Sequence, residues 1–238
     1  MRPSVPARQA LAEFLGSAGL VTVVIGSGIA ASRLSSDTGL QLLENALVTG
    51  MGLVALILAF GPVSGGHFNP VITLADRALG ALTNRQAAVY LPAQVAGGAG
   101  GAVLANLMFG LPAVQLAQQE RSSGALWLGE VLATAGLVVL VFALVRSGRA
   151  SVAPFAVGAY IAAAYWWSSS TSFANPMIDV ARTLSDTFAG IAPSSVPAFV
   201  LAQLLGGAVG VAVVVLLYPS AADAAGDVVV PHPAEEAL

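Results

Sequence analysis

The chain is laid out as long apolar runs separated by short polar breaks. Runs over residues 10–31, 40–60, 85–109, 125–145, 152–167 and 196–218 read as membrane-spanning helices, since about 20 apolar residues cross a hydrocarbon core. The breaks are a polar loop at 33–38, Gly61-Pro62 closing the second run, a loop at 111–123 carrying Gln115, Gln118, Gln119, Glu120 and Arg121, and a tight basic loop at 146–149. Residues 1–9 form a short arm with Arg2 and Arg8 and lack a small-residue cleavage site, so the first run is read as a retained helix. Residues 220–238 carry prolines and carboxylates and are expected to be a disordered tail.

Two stretches stand apart from this layout. One is Ser64-Gly65-Gly66-His67-Phe68-Asn69-Pro70-Val71-Ile72-Thr73; the other is Ser172-Phe173-Ala174-Asn175-Pro176-Met177-Ile178-Asp179-Val180. Each passes from small and polar residues through an aromatic to Asn-Pro. Asn is a strong N-cap and Pro suits the first helical position, so each Asn-Pro starts a helix. Asp76, Arg77 and Arg182 interrupt the apolar character soon after, and the two helices are placed at 69–79 and 175–189. A helix of about ten residues is roughly 15 Å long, half of a bilayer core of roughly 30 Å. These are read as re-entrant half-helices meeting at the midplane.

The stretches belong to a longer repeat. Ala12-Glu13-Phe14-Leu15-Gly16 is echoed by Gly129-Glu130-Val131-Leu132-Ala133, and Ala93-Gln94-Val95-Ala96-Gly97-Gly98 by Ala202-Gln203-Leu204-Leu205-Gly206-Gly207. The halves are 10–123 and 124–219, each with three spanning helices and one half-helix. Three crossings per half insert the second half upside down, and inverted repeats place function where discontinuous helices meet. The predicted fold class is therefore an all-α membrane protein of six transmembrane helices and two re-entrant half-helices.

Composition agrees with this layout and excludes other classes. Hydrophobic residues make up 57% and charged residues 9%, against about 25% charge in a soluble domain; mean hydropathy is +0.84. There is no Cys, and His67 and His232 are the only histidines, so disulfides, thiolate sites and a multi-His metal centre are excluded. No cofactor is implied, and no nucleophile–base set or phosphate loop suggests an enzyme. The net charge of -3 excludes a nucleic-acid partner. The nine basic residues are all Arg. Placing the N-terminus inside puts Arg2, Arg8, Arg77, Arg85, Arg146 and Arg149 in the cytoplasm and leaves Arg33, Arg121 and Arg182 outside. That bias puts both termini in the cytoplasm.

Non-helical backbone at membrane depth survives only when buried in protein or lining water. The segments preceding both Asn-Pro pairs meet that description if they flank a pore. Two facing helix N-termini, each roughly +0.5 charge, repel cations, while Asn69 and Asn175 offer amide N–H groups to passing oxygen atoms. Such a pore conducts neutral hydrogen-bonding solutes.

On these motifs the chain resembles the aquaporins, or major intrinsic proteins, over roughly residues 11–218. The family's third motif residue is Ala; here it is Val71 and Met177, expected to tilt or pad the contact between half-helices with the two Asn staying in place. The resemblance implies a selectivity filter outward of the Asn pair. Its Arg, three residues after the second Asn, is replaced by Ile178; the helix-two position falls on Thr49, the helix-five position near Tyr165 with Ala163 and Trp166 as alternatives, and the loop position near Ser172. A wider, less charged filter favours solutes larger than water. Asp179 and Arg182 are assigned to the outer mouth. Arg182 either leans into the mouth to replace the missing Arg or, the preferred reading, pairs locally with Asp179 or Asp186. The run from Phe173 through Arg182 to Pro193 resembles a bacterial branch associated with arsenic-resistance genes, which implies passage of arsenite, As(OH)3, and of polyols such as glycerol.

The resemblance also implies that Glu13 and Glu130 brace the re-entrant loops and that the protein assembles as a homotetramer; His67 is read as bracing its loop or lining the inner vestibule, and the protein is placed in the inner membrane. The glycine pairs are expected to allow close helix packing, and Trp166 and Trp167 to anchor a helix end at the interface. Three competing functions stay open: an ordinary water or glycerol channel, a secondary active transporter using Glu13 or Glu130, and a structural membrane protein with a vestigial pore.

Overall fold

Polar side chains set the helix starts. Asp37 accepts the Leu40 amide, Thr83 and Gln86 form a reciprocal capping box, and Ser123 accepts the Leu126 amide. Each contact satisfies an N–H that the first turn leaves without an intrahelical partner. The computed structural model describes residues 4–218. The helices are α1 (Val5–Leu34), α2 (Thr38–Ser64), α3 (Pro70–Leu79), α4 (Asn84–Met108), α5 (Gly124–Arg146), α6 (Ala153–Trp167), α7 (Pro176–Arg182) and α8 (Val196–Leu217).

Five of them, α1, α2, α4, α5 and α8, are long and apolar enough to cross a membrane. Helix α6 has 15 residues and continues a three-residue 3-10 turn, Ala150–Val152. Together these rise roughly 28 Å, enough for a sixth crossing. Outward faces carry Leu104, Leu107, Leu128, Leu132, Leu201 and Leu216, all exposed, while Glu13, Gln94, Glu130 and Gln203 are fully buried. Lipid solvates such an exterior; the polar groups inside must find partners in the protein.

Helix α1 packs on α2 and α4, α5 packs on α6 and α8, and α2 meets α6 to join the halves. The α1–α4 and α5–α8 contacts are close because each seam is lined by glycine. A Cβ at Gly97 or Gly101 would overlap the carbonyl of Phe14 or Ala18, and one at Gly206 the carbonyl of Val131. Helix α3 lies against α4 and α8, α7 lies against α4 and α8, and the two short helices touch each other.

Several element limits differ from the expectation. Helix α1 reaches back to Val5 through the expected arm, because Pro6 falls in the first turn, where its missing N–H costs nothing, and the Arg8 amide bonds the Ser4 carbonyl at 3.0 Å. Helix α2 runs past Gly61-Pro62 to Ser64 and is closed by Gly65 at φ 88°, the left-handed stop that glycine supplies. The second half-helix ends at Arg182 rather than near residue 189. Beyond it, the Thr183 and Leu184 carbonyls accept from Ala117 and Gln115, and Ser185 Oγ donates to Asn106 Oδ1 at 2.7 Å. Those loop-to-loop bonds replace helical ones. The tail at 220–238 lies outside the described residues.

Candidate functional site

The two Asn-Pro motifs meet. Asn69 caps α3 by accepting the Val71 amide at 2.9 Å, and Asn175 caps α7 by accepting the Met177 amide at 3.1 Å. Capping uses each Oδ1 and frees each Nδ2. Asn69 Nδ2 donates to the Ala174 carbonyl and Asn175 Nδ2 to the Phe68 carbonyl, both at 2.8 Å. Each amide therefore holds the other loop. An amide nitrogen carries two protons, so one N–H per Asn remains after this exchange.

The loops arrive at that geometry through strained backbone. Phe68 sits at φ 46°, and Thr171, Ser172 and Ala174 at 62°, 48° and 47°. A non-glycine residue in the left-handed region costs about 1–2 kcal/mol, and such strain persists only where surroundings over-determine it. Buried carboxylates do so here. Glu13 accepts the His67 and Phe68 amides at 3.0 and 2.8 Å, the Ser64 hydroxyl at 2.6 Å and Gln94 Nε2 at 2.7 Å. Glu130 accepts the Phe173 and Ala174 amides at 2.9 and 2.8 Å and Gln203 Nε2 at 2.6 Å. The repeat relates the two amides and the glutamine in each network, and Glu13 adds the Ser64 hydroxyl.

The enlarged third residues are accommodated by glycine. Met177 occupies the place a Cβ on Gly98 would take, and Val71 the place of one on Gly207. Each half-helix thus docks on the long helix of the other repeat. Padding therefore falls on α4 and α8, and both Asn keep their bonds.

A narrow cavity of about 60 Å³ runs past this junction, room for a short file of waters at roughly 10–15 Å³ each. One wall is apolar, with Leu20, Val24, Leu53, Leu137, Val141 and Ile161. The polar stripe comes from His67, Asn69, Ser172 and Asn175. Thr49, Tyr165 and Ile178 line the same cavity, and Tyr165 OH donates to Thr49 Oγ1 at 3.3 Å. Among the helix-five alternatives, Trp166 is 52% exposed and Ala163 also faces outward; Tyr165 faces the cavity. His67 has Nδ1 3.0 Å from Thr73 Oγ1 and Nε2 3.6 Å from Asp76.

A second, wider cavity of about 390 Å³ opens beyond Tyr165. Thr38, Asn45, Gln119, Arg121, Thr171 and Arg182 line it. Asp179 does not reach it, which corrects its assignment to the outer mouth. The residue is 0% exposed and accepts Gln203 Nε2 at 3.2 Å. One step along a helix turns a side chain by about 100°, so Ile178 toward the cavity sends Asp179 into the protein. Arg182 forms no ion pair with Asp179 or Asp186 among the described residues; Asp186 instead accepts the Gln118 amide at 3.0 Å. The preferred local pairing is therefore replaced by a place on the cavity wall.

Sequence reasoning missed Arg121 and Phe173. Both arginines lie over the Phe173 ring, with guanidinium carbons 5.1 and 3.6 Å from its centroid. The aromatic in the second motif was the available signal. Among the described residues, no group of three or more His, Asp or Glu is placed to hold a metal ion.

Comparison with known proteins places this geometry. The family model for major intrinsic proteins matches residues 2–188. The aquaglyceroporin AqpS of Rhizobium meliloti (strain 1021) is 47% identical over 199 residues, covering 84% of this chain and 85% of that protein. The glycerol uptake facilitator protein of Pseudomonas aeruginosa is 29% identical, with 85% of each chain covered. The X-ray structure of the aquaglyceroporin from Plasmodium falciparum superposes with a TM-score of 0.67 at 19% identity, covering 90% of this chain and 95% of that one; at that identity the likeness concerns the fold.

Proposed function

The chain belongs to the major intrinsic protein family, and we propose that it is a passive channel for neutral arsenite, As(OH)3, and for related small polyols such as glycerol, with some water. The protein is an aquaglyceroporin channel for small solutes and not an enzyme.

The observation that carries the finer reading is Ile178 on the cavity wall beside Thr49 and Tyr165. An aliphatic side chain there leaves width and an apolar contact. The opposite stripe keeps the spare N–H groups of Asn69 and Asn175, which donate to solute hydroxyl oxygens. A compact trihydroxylated solute satisfies both walls. It keeps hydrogen bonds along one side while its other face meets Leu20, Val24 and Leu137. A bare cation finds neither its hydration shell nor a carboxylate, and removing that shell costs several kcal/mol or more. The half-helix N-termini add partial positive charge at the midplane.

Glu13 and Glu130 support this reading over coupled transport. Both carboxylates are spent on loop amides and on Gln94 or Gln203, leaving neither poised to bind a travelling ion. We assign Thr49, Tyr165, Ser172 and Ile178 to the selectivity filter, Asn69 and Asn175 to the midplane, and Glu13, Glu130 and His67 to the loops that carry it. Homotetrameric assembly, the inner membrane and cytoplasmic termini complete the proposal; the last rests on the arginine bias.

Arsenite uptake and water permeability in proteoliposomes test it, for wild type and Ile178→Arg. Arsenite and glycerol flux in wild type, reduced about tenfold or more by a guanidinium that narrows the neck, is the expected result. Wild type that passes water alone, or arsenite flux indifferent to Ile178→Arg, overturns the filter assignment.

A further inference from the structure

Position 178 carries no charge, but the neck of the conduit does. Among the described residues, Tyr165 and Arg182 are the two that line both the narrow inner cavity and the wide outer one. They mark the neck between them. Tyr165 turns its hydroxyl to Thr49. Arg182 is 3% exposed, and its contacts use the inner part of its guanidinium. Nε donates to the Ala189 carbonyl, and the planar face stacks on Phe173 at 3.6 Å. No hydrogen bond forms from either Nη among the described residues. A guanidinium held by its Nε and its face presents its remaining N–H donors along its edge.

Nearby carboxylates leave the charge uncompensated at contact distance. Asp179 is turned away to Gln203 and Asp186 to the Gln118 amide. Glu130 serves the loop amides. The next cation, Arg121, shares the Phe173 ring, which adds positive potential on the outer side. A buried cation without a paired carboxylate is costly, and functional sites are where that cost is tolerated.

We infer that Arg182 is the charge-selecting residue of this conduit, reached from one turn beyond the position that Ile178 occupies. The inference rests on the channel reading above and deepens it. It divides selection between two levels about 6 Å apart along α7. Ile178 with Thr49 sets the width that solutes must fit. Arg182 with Tyr165, one turn outward, repels cations and offers an N–H fork to hydroxyl oxygens entering from the vestibule. The early end of α7 makes this possible, since the chain after Arg182 folds back to bring the Ala189 carbonyl onto Nε.

The test separates width from charge. Proteoliposomes carrying wild type, Arg182→Gln, Arg182→Lys and the double variant Arg182→Gln/Ile178→Arg are compared for glycerol flux and for sodium and proton leak. Arg182→Gln is expected to raise cation leak about tenfold or more, because a like charge in a low-dielectric neck is removed, and to lower glycerol flux, because part of the N–H fork goes with it. Arg182→Lys keeps the charge and keeps the leak at the wild-type level. The double variant restores cation exclusion and loses glycerol flux. Unchanged leak in Arg182→Gln overturns the inference, and so does a leak in Arg182→Lys equal to that of Arg182→Gln, which would mark a purely structural arginine. If Arg182→Gln does not reconstitute, the Lys variant decides alone: a rise in leak refutes charge selection. Wild type without glycerol flux overturns the channel reading as well, whereas wild type that conducts, with an Arg182→Gln variant that stays tight, overturns this inference only.

Discussion

At the scale of the residue, the site depends on a few polar atoms with several duties each. Glu130 Oε1 and Oε2 each hold one loop amide, and Oε2 also holds Gln203. Glu130→Gln would turn an acceptor into a donor facing buried N–H groups. Each buried N–H left without a partner costs about 1–3 kcal/mol. We expect a lower thermal midpoint in detergent and a loss of solute flux, since Ala174 at φ 47° is released and Asn69 loses its carbonyl partner. A variant with wild-type midpoint and flux would show that the loop is held by something else. Glu13→Gln should act alike on the first loop. Both glutamates were legible in the sequence because they occur at matched places in the repeat. Arg182 was not. Its local neighbours, Asp179 and Asp186, suggested pairing within the helix, and only the burial of Asp179 beside Gln203 and the bond from Asp186 to Gln118 remove those partners.

At the scale of the element, the two half-helices are fitted to the helices of the opposite repeat. Met177 fills the space of the absent Gly98 side chain, and Val71 that of Gly207. Adding a methyl at Gly98 overpacks this seam, at a cost of about 1–3 kcal/mol. Met177→Ala alone leaves a void and costs about 2–5 kcal/mol. Combined, the two changes should offset, with a coupling of about 0.5–3 kcal/mol in a double-mutant cycle read from thermal unfolding. Strict additivity would show that the side chains do not share that space. The departure from Ala at both third positions was visible in the chain. Its accommodation was not, because Gly98 lies 79 residues before Met177 in the sequence and nothing local couples them. The length of α7 is likewise set by distant partners. Residues 183–189 could continue a helix, yet their carbonyls bond Gln115 and Ala117 across the mouth.

At the scale of the whole molecule, the conduit is enclosed by one chain. Its walls draw on α1, α2, α5, α6 and both loops. If four copies assemble, each therefore conducts alone. Mixing wild type with an Asn175→Leu variant, which loses its bond to the Phe68 carbonyl and its solute-facing N–H, should lower glycerol flux in linear proportion to the fraction of variant. A steeper fall would place a shared pathway between copies. Light scattering on the purified protein supplies the copy number for that comparison.

The chain alone determined the helical membrane class, the two Asn-Pro starts and the repeated halves. Apolar runs, N-caps and echoes are properties of consecutive residues and are written where they act. Tertiary structure decided which side chains share one cavity. Asn69 finds its partner 105 residues away at Ala174, and Tyr165 meets Thr49 across 116 residues. It also decided which charges stay unpaired, turning Asp179 inward and leaving Arg182 at the neck. Distance along the chain carries no record of either outcome, since both are set by the packing of one inverted half against the other.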